Sequence, residues 1–537
     1  MRRKAIIFTE DYKNLLQLTA YLVQDDWELV SGGETAEFLE KNSISVSNDP
    51  SLTSASRSGD GFTTILNLVM NSRIQKANNP RTADNITEIA PLACVNIIPK
   101  YENLDTENEN VSIANKIDHK HISLIRAAAK NYMNILILTD PEDYQEAIIQ
   151  LKTDSVSDEF RLYLAAKALN LTAAYDAGIA ISLLSHNLKT DFPDYFVAPY
   201  KKMKHIIHGT NAHQAACLYS LPCAHSALSG FRKIQGEELD FGVMKNNFSA
   251  WNVVTLFHRL LKNPFEVSST DSFGYPYSTQ FTPTAGSVFT IGIKFCTPVG
   301  AAFGPDVATS FSKTINCALE SFDGAVIGCS AVIDEKAATE IIKTNISAVI
   351  APDFVKGARE ILAEKKSIRL IIASNPIASV VEASTIDGGL LAQISDCVLF
   401  KQWNTVTKKR PTQPQIDAMA LGTMLSIAAK SNSAIIINDN AVIGISSGQS
   451  SWRKALSIAI DDAQECFKNN LTSLDTNAEV LVSDDSIPFG DFIYRLPEIG
   501  VKAIIQPGGS QTDNEFIEYC NEHEISMIFT KMTHLNF

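Results

Sequence analysis

The sequence has no CxxC pair, no apolar run approaching a membrane span and no phosphate-binding P-loop. Zinc ribbons, thioredoxin-like redox centres and P-loop phosphotransferases are thereby set aside. The nine cysteines are scattered singly from Cys94 to Cys520, a pattern that reads as reduced thiols in a cytosolic compartment. His213, Cys217 and Cys223 come nearest to a ligand cluster, but no second Cys/His pair follows at finger spacing, so no metal site is expected. Positive charge is also scarce: 46 Lys and Arg stand against 60 Asp and Glu, a net charge of −14. That balance disfavours broad contact with nucleic-acid phosphates or anionic lipid. The basic clusters Lys201 to Lys204 and Lys408 to Arg410 are short and read as solvated loops. Met1 to Phe8 is basic and then apolar, but charge returns at Glu10-Asp11, too soon for a signal peptide. A cytoplasmic protein with no membrane or nucleic-acid partner is expected.

What the chain does have is alternation. Its 537 residues, 45% apolar and 20% charged, exceed what one hydrophobic core supports. Short apolar runs (Ala5 to Thr9, Trp27 to Ser31, Ala93 to Pro99, Met133 to Thr139) are separated by helical periods at Leu15 to Val23, Thr35 to Glu40, Leu124 to Asn131 and Pro141 to Leu151. This is the signature of an α/β protein with a parallel sheet covered on both faces. Asp158 to His186 reads as one long helix. The pattern lapses between Asn187 and Tyr200 around Phe192-Pro193-Asp194-Tyr195, which predicts two domains, 1–198 and 199–537. Beyond it, strands are expected at Ser287 to Phe295, Ser347 to Ala351, Ile368 to Ala373, Ala434 to Asn438, Glu479 to Ser483 and Val501 to Gln506. Helices are expected at Glu335 to Thr344 and Gln413 to Lys430. Asn48 to Asp60 and Asp105 to Asn110 read as loops, and no sequence repeat of fixed period is present.

Several segments could carry chemistry. Val501 to Gln506 runs into the glycine-rich turn Pro507-Gly508-Gly509-Ser510, with a helix from Asn514 to Asn521 capped by Ser510 or Thr512. Backbone N–H groups of such a turn can approach an anion, and a tight corner needing glycine freedom explains it equally well. Ser31-Gly32-Gly33-Glu34-Thr35 is a similar corner, where Ser31 or Thr35 could donate to a phosphate although Glu34 would repel it. Lys294 closes a strand before a Pro/Gly turn, Cys296 to Gly300. It is placed to protonate a leaving group, hold a carboxylate or simply reach water. Lys130 on its helix of small residues is compatible with a site or with solvent, and Asn432 with a site or with satisfying the backbone.

Taken in chain order, these segments resemble the bifunctional AICAR transformylase/IMP cyclohydrolase family of purine synthesis. Ile504 to Ser510 reproduces its IIQPGGS, and Ser483-Asp484-Asp485 with Ile487 to Asp491 resembles SDAFFPFRD. Ala348 to Phe354 resembles the stretch before its transformylase helix. Ile117-Asp118 with Leu124 to Asn131 resembles IDIGG…LRAAAKN, and Asn211, His213 and Gln214 fall where it has RYGxNPHQ. The resemblance runs from about residue 5 to the end. It implies an N-terminal domain of methylglyoxal-synthase-like fold, a C-terminal transformylase domain of two cytidine-deaminase-like subdomains, and a homodimer. It further implies AICAR, FAICAR and IMP as ligands and 10-formyltetrahydrofolate as formyl donor. Lys294 and Asn432 would serve formyl transfer, and Lys130 with Asp118 ring closure. Substrate would be bound by Asn211, His213, Gln214, Ser31, Gly33, Thr35, Phe489, Asp491, Gly508 and Gly509.

The chain departs from the family pattern at several of these places. The KH pair becomes Lys294-Phe295, the Arg-Tyr before the glycine becomes Ile207-His208, and two further arginine positions carry Trp452 and Thr533. In the N-terminal half SDKTG becomes Glu10 to Asn14, RVKTLHP becomes Gly61 to Asn67, the NLYP tyrosine becomes Ile98, and two glycines become Lys120-His121. Two readings follow: an enzyme performing formylation and ring closure, or a catalytically degenerate relative that binds nucleotides or regulates.

Overall fold

The computed structural model describes residues 3–47, 66, 69, 91–98, 117–153, 155–187, 192–221, 226–262, 266–270, 276–280, 286–316, 320–374, 376, 381–396, 403–469 and 479–537. It divides into two compact units, residues 1–202 with 219–224, and residues 203–218 with 225–537. The expected loops at 48–60 and 105–110, and Gly61 to Asn67 apart from Leu66, lie outside the described residues.

In the first unit β1 (Lys4–Phe8), β2 (Glu28–Ser31), β3 (Leu92–Val95) and β4 (Leu136–Leu138) form a sheet in the order β2-β1-β3-β4. Every pairing is parallel. Runs of three or four consecutive apolar residues in β1, β3 and β4, nearly all buried, are what a parallel sheet covered on both faces requires. The covering helices are α1 (Leu15–Gln24), α2 (Gly33–Lys41), α3 (His119–Lys130), α4 (Tyr144–Lys152) and α5 (Asp158–Asn187). Helix α1 packs beside α4 and α3 beside α5. The chain reverses its direction across the sheet between β1 and β3, and in such sheets ligands bind beyond the carboxyl ends of the strands at that point.

Among the described residues the main sheet of the second unit has fourteen strands: β5 (Phe231–Gln235), β6 (Glu266–Thr270), β7 (Pro276–Gln280), β8 (Val288–Lys294), β9 (Thr297–Gly304), β10 (Val326–Cys329), β11 (Ala348–Ala351), β12 (Arg369–Ala373), β13 (Trp403–Thr405), β14 (Ala434–Asn438), β15 (Ala441–Ser446), β16 (Val480–Ser483), β17 (Ala503–Gln506) and β18 (Ser526–Phe529). Their order in the sheet is β5-β12-β11-β10-β8-β9-β15-β14-β16-β17-β18-β13-β6-β7. Helices α6 (Phe241–Lys262), α7 (Val307–Ile315), α8 (Glu335–Ile341), α9 (Lys356–Leu362), α10 (Gln413–Ala428), α11 (Trp452–Asn469) and α12 (Asp513–Glu522) cover it.

One topology occurs twice. In the first half a helix (α6) leads into the antiparallel hairpin β8-β9, and β8 then pairs with the first of three parallel strands, β10, β11 and β12. In the second half α10 leads into the hairpin β14-β15, and β14 pairs with the first of β16, β17 and β18. The halves join where Ala302 of β9 faces Ala441 of β15. Residues of α6 and α10 share one core with both halves of the sheet, while α7 to α9 and α11 with α12 each build a separate core. Helix α10 is buried without interruption from Gln415 to Ser426, as an apolar helix between layers must be. Its start is fixed by a capping box between Thr412 and Gln415. These are the two cytidine-deaminase-like subdomains beside a methylglyoxal-synthase-like unit that the sequence led one to expect.

Two expectations need correction. The turn after Lys294 is Phe295-Cys296, and Thr297 to Gly304 is a strand, so Cys296 to Gly300 does not end the strand in a Pro/Gly turn. Pro298 is accommodated because the register shifts between Gly292 and Ile293, opposite it. The thiols are also not uniformly reduced: Cys94, Cys217, Cys296, Cys329 and Cys520 are free, but the buried Cys466 is disulfide-bonded.

Candidate functional sites at two sheet edges

The carboxyl edge of the first sheet is held by side chains that reach back onto its strands. Thr35 Oγ1 accepts from Thr9 N (3.0 Å) and donates to Thr9 O (2.9 Å), and Ser31 Oγ donates to Ile7 O (2.8 Å). The hydroxyls singled out as phosphate donors therefore clamp the Gly32-Gly33 corner onto β1. Gly33 opens α2 at φ +58°, with open space where a side chain would project. Asn96, just past β3, accepts from Glu10 N (2.8 Å) and Asp11 N (2.9 Å) and donates to Asp11 O (3.1 Å). Glu10 in turn accepts from Ile98 N (2.7 Å).

Across this edge stands the start of α3. Asp118 is its N-cap: Oδ1 accepts from His121 N (3.0 Å), and Oδ2 is hydrogen-bonded to His121 Nδ1. Tyr175 Oη accepts from Asp118 N (2.8 Å). Partial burial pushes the Asp118 carboxyl up, but its bonds to His121 outweigh this and hold it below the usual range. The His121 ring lies 5.9 Å from the Phe8 ring, and a side chain on Gly32 would meet that same Phe8 ring at 3.4 Å. Lys130 is the last residue of α3 and exposed. Twelve residues of helical rise separate it from Asp118, about 18 Å, so the two do not act on one atom together.

In the second unit, strand register gathers several expected residues on one edge. Ala434 faces both Ser446 and Ser483, and Gln506 faces Phe529. With Ala302 facing Ala441 across an antiparallel seam, Lys294 and Thr297 fall on that edge too. Lys294 and Asn432 are then three strand spacings apart, about 14 Å. The Lys294 ammonium lies 5.9 Å from the centroid of the Phe295 ring, which is 82% exposed, and Cys296 N donates to Asn246 Oδ1 (2.8 Å). Asn432 donates through N (3.2 Å) and Nδ2 (3.0 Å) to Gln449 O and accepts from Gln449 N (3.3 Å). Next to it, Ser433 N donates to Oδ1 of the buried Asp484 (2.9 Å), whose carboxyl burial pushes up. His534 N donates to Asp484 O (3.1 Å), and His534 Nδ1 bonds Asp396 Oδ2 (2.7 Å).

The glycine-rich turn is internally satisfied. Ser486 Oγ donates to Gly508 O (2.6 Å), and Gly509 N donates to Asp513 Oδ2 (2.7 Å), so a carboxylate of the chain takes that N–H. Thr512 is the N-cap residue of α12, but its hydroxyl accepts from Phe489 N (2.8 Å) instead of capping the helix. Phe489 packs among Tyr494, Phe516 and Tyr519, and Asp491 is exposed at the start of a short 3-10 turn. Asn211, His213 and Gln214 form an exposed turn in which Gln214 Oε1 accepts from Asn211 N (2.9 Å) and Nδ2 (3.2 Å). Among the described residues no group of three or more His, Cys, Asp or Glu could hold a metal ion, and no helix is long and apolar enough to cross a membrane. Sequence reasoning assigned no role to Asn96, His121, Tyr175 and Asp484; the D-x-x-H spacing at a helix start was the legible signal for one of them.

Fold and edges define a two-unit α/β protein, with several of the expected site residues near the ends of its strands. Comparison supplies the family. Residues 128–462 match the family described as "AICARFT/IMPCHase bienzyme". The "Bifunctional purine biosynthesis protein PurH" of Clostridium kluyveri is 32% identical over 545 residues, covering 99% of each chain, and that of Clostridium acetobutylicum is 31% identical over 543 residues, again covering 99% of each. A solved structure titled "Crystal structure of ForH" is 24% identical over 34% of this chain and 100% of that one, at a TM-score of 0.30, too low to carry any argument. The chain belongs to the AICARFT/IMPCHase bienzyme family.

Proposed function

We propose that this chain carries out the last two steps of purine synthesis: formylation of AICAR by 10-formyltetrahydrofolate, then closure of FAICAR to IMP. The observation that carries this reading is identity of 32% spread over 99% of the chain, so that both units have a counterpart in the bifunctional relatives. The second unit formylates. The AICAR amine attacks the formyl carbon, the bond from that carbon to the folate nitrogen breaks, and one proton passes from the amine to the departing nitrogen. Lys294 supplies positive charge and a proton at that edge, and Asn432, fixed by Gln449, orients the substrate amide. Gly508 and Gly509 with Phe489 and Asp491 form the wall of the same cleft, and Asn211, His213 and Gln214 contact substrate from an exposed turn.

The first unit closes the ring at the edge formed by Gly32-Gly33 and Asp118. Gly33 leaves room for a nucleotide phosphate, Ser31 and Thr35 hold the corner in place, and Lys130 serves as a more distant cation. The protein acts in the cytoplasm as a homodimer. Separate absorbance assays of the two half-reactions on the intact purified chain test the proposal. AICAR with 10-formyltetrahydrofolate should give product, and FAICAR alone should give IMP. Failure of either would overturn it.

A further inference from the structure

We propose that His121, held by Asp118, is the proton-transferring residue of ring closure in the first unit. This rests on the functional reading above and adds to it a group that the family pattern does not carry, since glycine stands at the matching position of the IDIGG motif.

Both oxygens of the Asp118 carboxylate engage His121, Oδ1 accepting from its backbone N–H and Oδ2 from Nδ1. That places the ring proton on Nδ1 and leaves Nε2 with its lone pair free to accept, the tautomer control expected of a general base. The cap itself is fixed from behind by Tyr175 Oη on Asp118 N. The imidazole is within reach of a ligand, 31% exposed at the side chain. It also stands at the correct edge. Its ring lies against Phe8, the last residue of β1, and Phe8 in turn lies under Gly32 of the corner that opens α2. A ligand seated on the Gly32-Gly33 corner, where Gly33 faces open space, would reach the imidazole across the Phe8 ring. Among the described residues, the other ionisable groups at this edge include Glu10, Asp11 and Tyr12 from the loop after β1, Glu34 at the start of α2, Tyr175 and Asp176 from α5, and His119 and Lys120 beside the cap. Glu10 is engaged by Ile98 N, Asp176 by Arg126 and Tyr175 by the cap.

The proton balance of ring closure suits one such residue. The carboxamide nitrogen of FAICAR attacks the formyl carbon, and His121 Nε2 takes one proton from that nitrogen and delivers it to the formyl oxygen, giving a carbinolamine. The carbon–oxygen bond then breaks. Nε2 takes the proton of the formamido nitrogen, and the resulting imidazolium passes it to the hydroxyl, which leaves as water. Two protons leave the substrate with one oxygen, and His121 ends neutral as it began. Asp118 stabilises the transient imidazolium and is a positioning residue; it touches no reacting atom.

The test uses the intact chain and FAICAR, with IMP formation followed across pH for the unmodified protein, His121→Ala and Asp118→Ser. Serine keeps a good helix cap while removing the carboxylate, so both variants should fold, as their far-UV circular dichroism should show. His121→Ala should lower kcat by about 10²–10⁴ with little change in KM, lose the acidic limb of the pH–rate profile, and recover in part with added imidazole. Asp118→Ser should lose rate less severely and shift that limb. If His121→Ala stays within about threefold of the unmodified kcat and keeps the acidic limb, the inference is overturned. If the unmodified protein does not consume FAICAR at all, the functional reading falls and this inference with it; a protein that closes FAICAR independently of His121 overturns the inference alone.

Discussion

Phe295 and Asp439 occupy the same place in two copies of one hairpin. Each is the first of two turn residues in the left-handed region, Phe295-Cys296 at φ +54° and +60°, Asp439-Asn440 at +44° and +58°. Each turn joins strands whose register slips near the turn, at Gly292/Ile293 and at Ile436/Ile437. Asp and Asn suit a two-residue turn of this kind, whereas a bulky aromatic does not. The first hairpin thus carries strain that the second lacks, and it does so beside Lys294 at the candidate formylation site.

Replacing Phe295 by Asn should accordingly stabilise the second unit. The left-handed conformation costs an ordinary residue roughly 1–2 kcal/mol, and Asn tolerates it, so a gain of about 1 kcal/mol is expected. Urea denaturation followed by tryptophan fluorescence measures it. A destabilised variant would mean that the exposed ring makes a stabilising contact in solution.

Formylation should be slow. Histidine stands where Phe295 is in the family pattern, and phenylalanine offers neither donor nor acceptor; losing one acid–base group typically costs about 10²–10⁴ in rate. Steady-state turnover with AICAR and 10-formyltetrahydrofolate is expected below about 1 s⁻¹, the lower end of the usual range. Phe295→His alone should raise it less than about tenfold, because groups acting as a unit are not additive. Turnover well above that limit in the unmodified chain would show that another residue replaces the imidazole.

The glycines of the two corners differ in what surrounds them. A Cβ on Gly508 would stand 2.5 Å from Phe529 Cδ2 at φ +70°, whereas Gly33, at +58°, has nothing within 4 Å. Gly33→Ala should cost only the backbone term, about 1 kcal/mol. Gly508→Ala adds overpacking and should cost about 3 kcal/mol. Denaturation of both variants checks the ranking, and equal losses would contradict it.

Asp484 should make stability depend on pH. Burial pushes its carboxyl above the usual range, against the opposing bonds from Ser431 and Ser433. A group whose folded pKa is raised holds its proton longer in the folded state, so stability is lost as pH rises from the unfolded carboxylate value, about 3.9, through the folded one. Asp484→Asn lacks this loss. Relative to the unmodified protein it should gain stability across that window and level off above it. Urea denaturation between pH 4 and pH 8 decides, and a difference independent of pH would contradict the account.

Apolar runs and helical periods made most elements legible, because burial on both faces of a parallel sheet leaves little freedom in residue type. The doubled topology was legible only through the family resemblance, which implied two like subdomains; no repeat shows in the residues themselves, since the two halves share a backbone path with different side chains. The turn at Phe295-Cys296 was hidden by Pro298 and Gly300, stronger turn signals that the bulge absorbs into β9. At the sites, residue type suggested donors at Ser31 and Thr35, but their hydroxyl protons are bound to Ile7 O and Thr9 O. His121 read as a lost glycine until its bond to Asp118 and its contact with Phe8 placed it at the edge of the sheet.

The most direct measurement follows one carbon through both steps. The intact chain is given AICAR and 10-formyltetrahydrofolate carrying ¹³C in the formyl group, and products are resolved by NMR. Label should arrive at C2 of IMP without FAICAR building up, because slow formylation feeds a faster closure. Label that stays in the folate, with neither FAICAR nor IMP formed, would contradict the account.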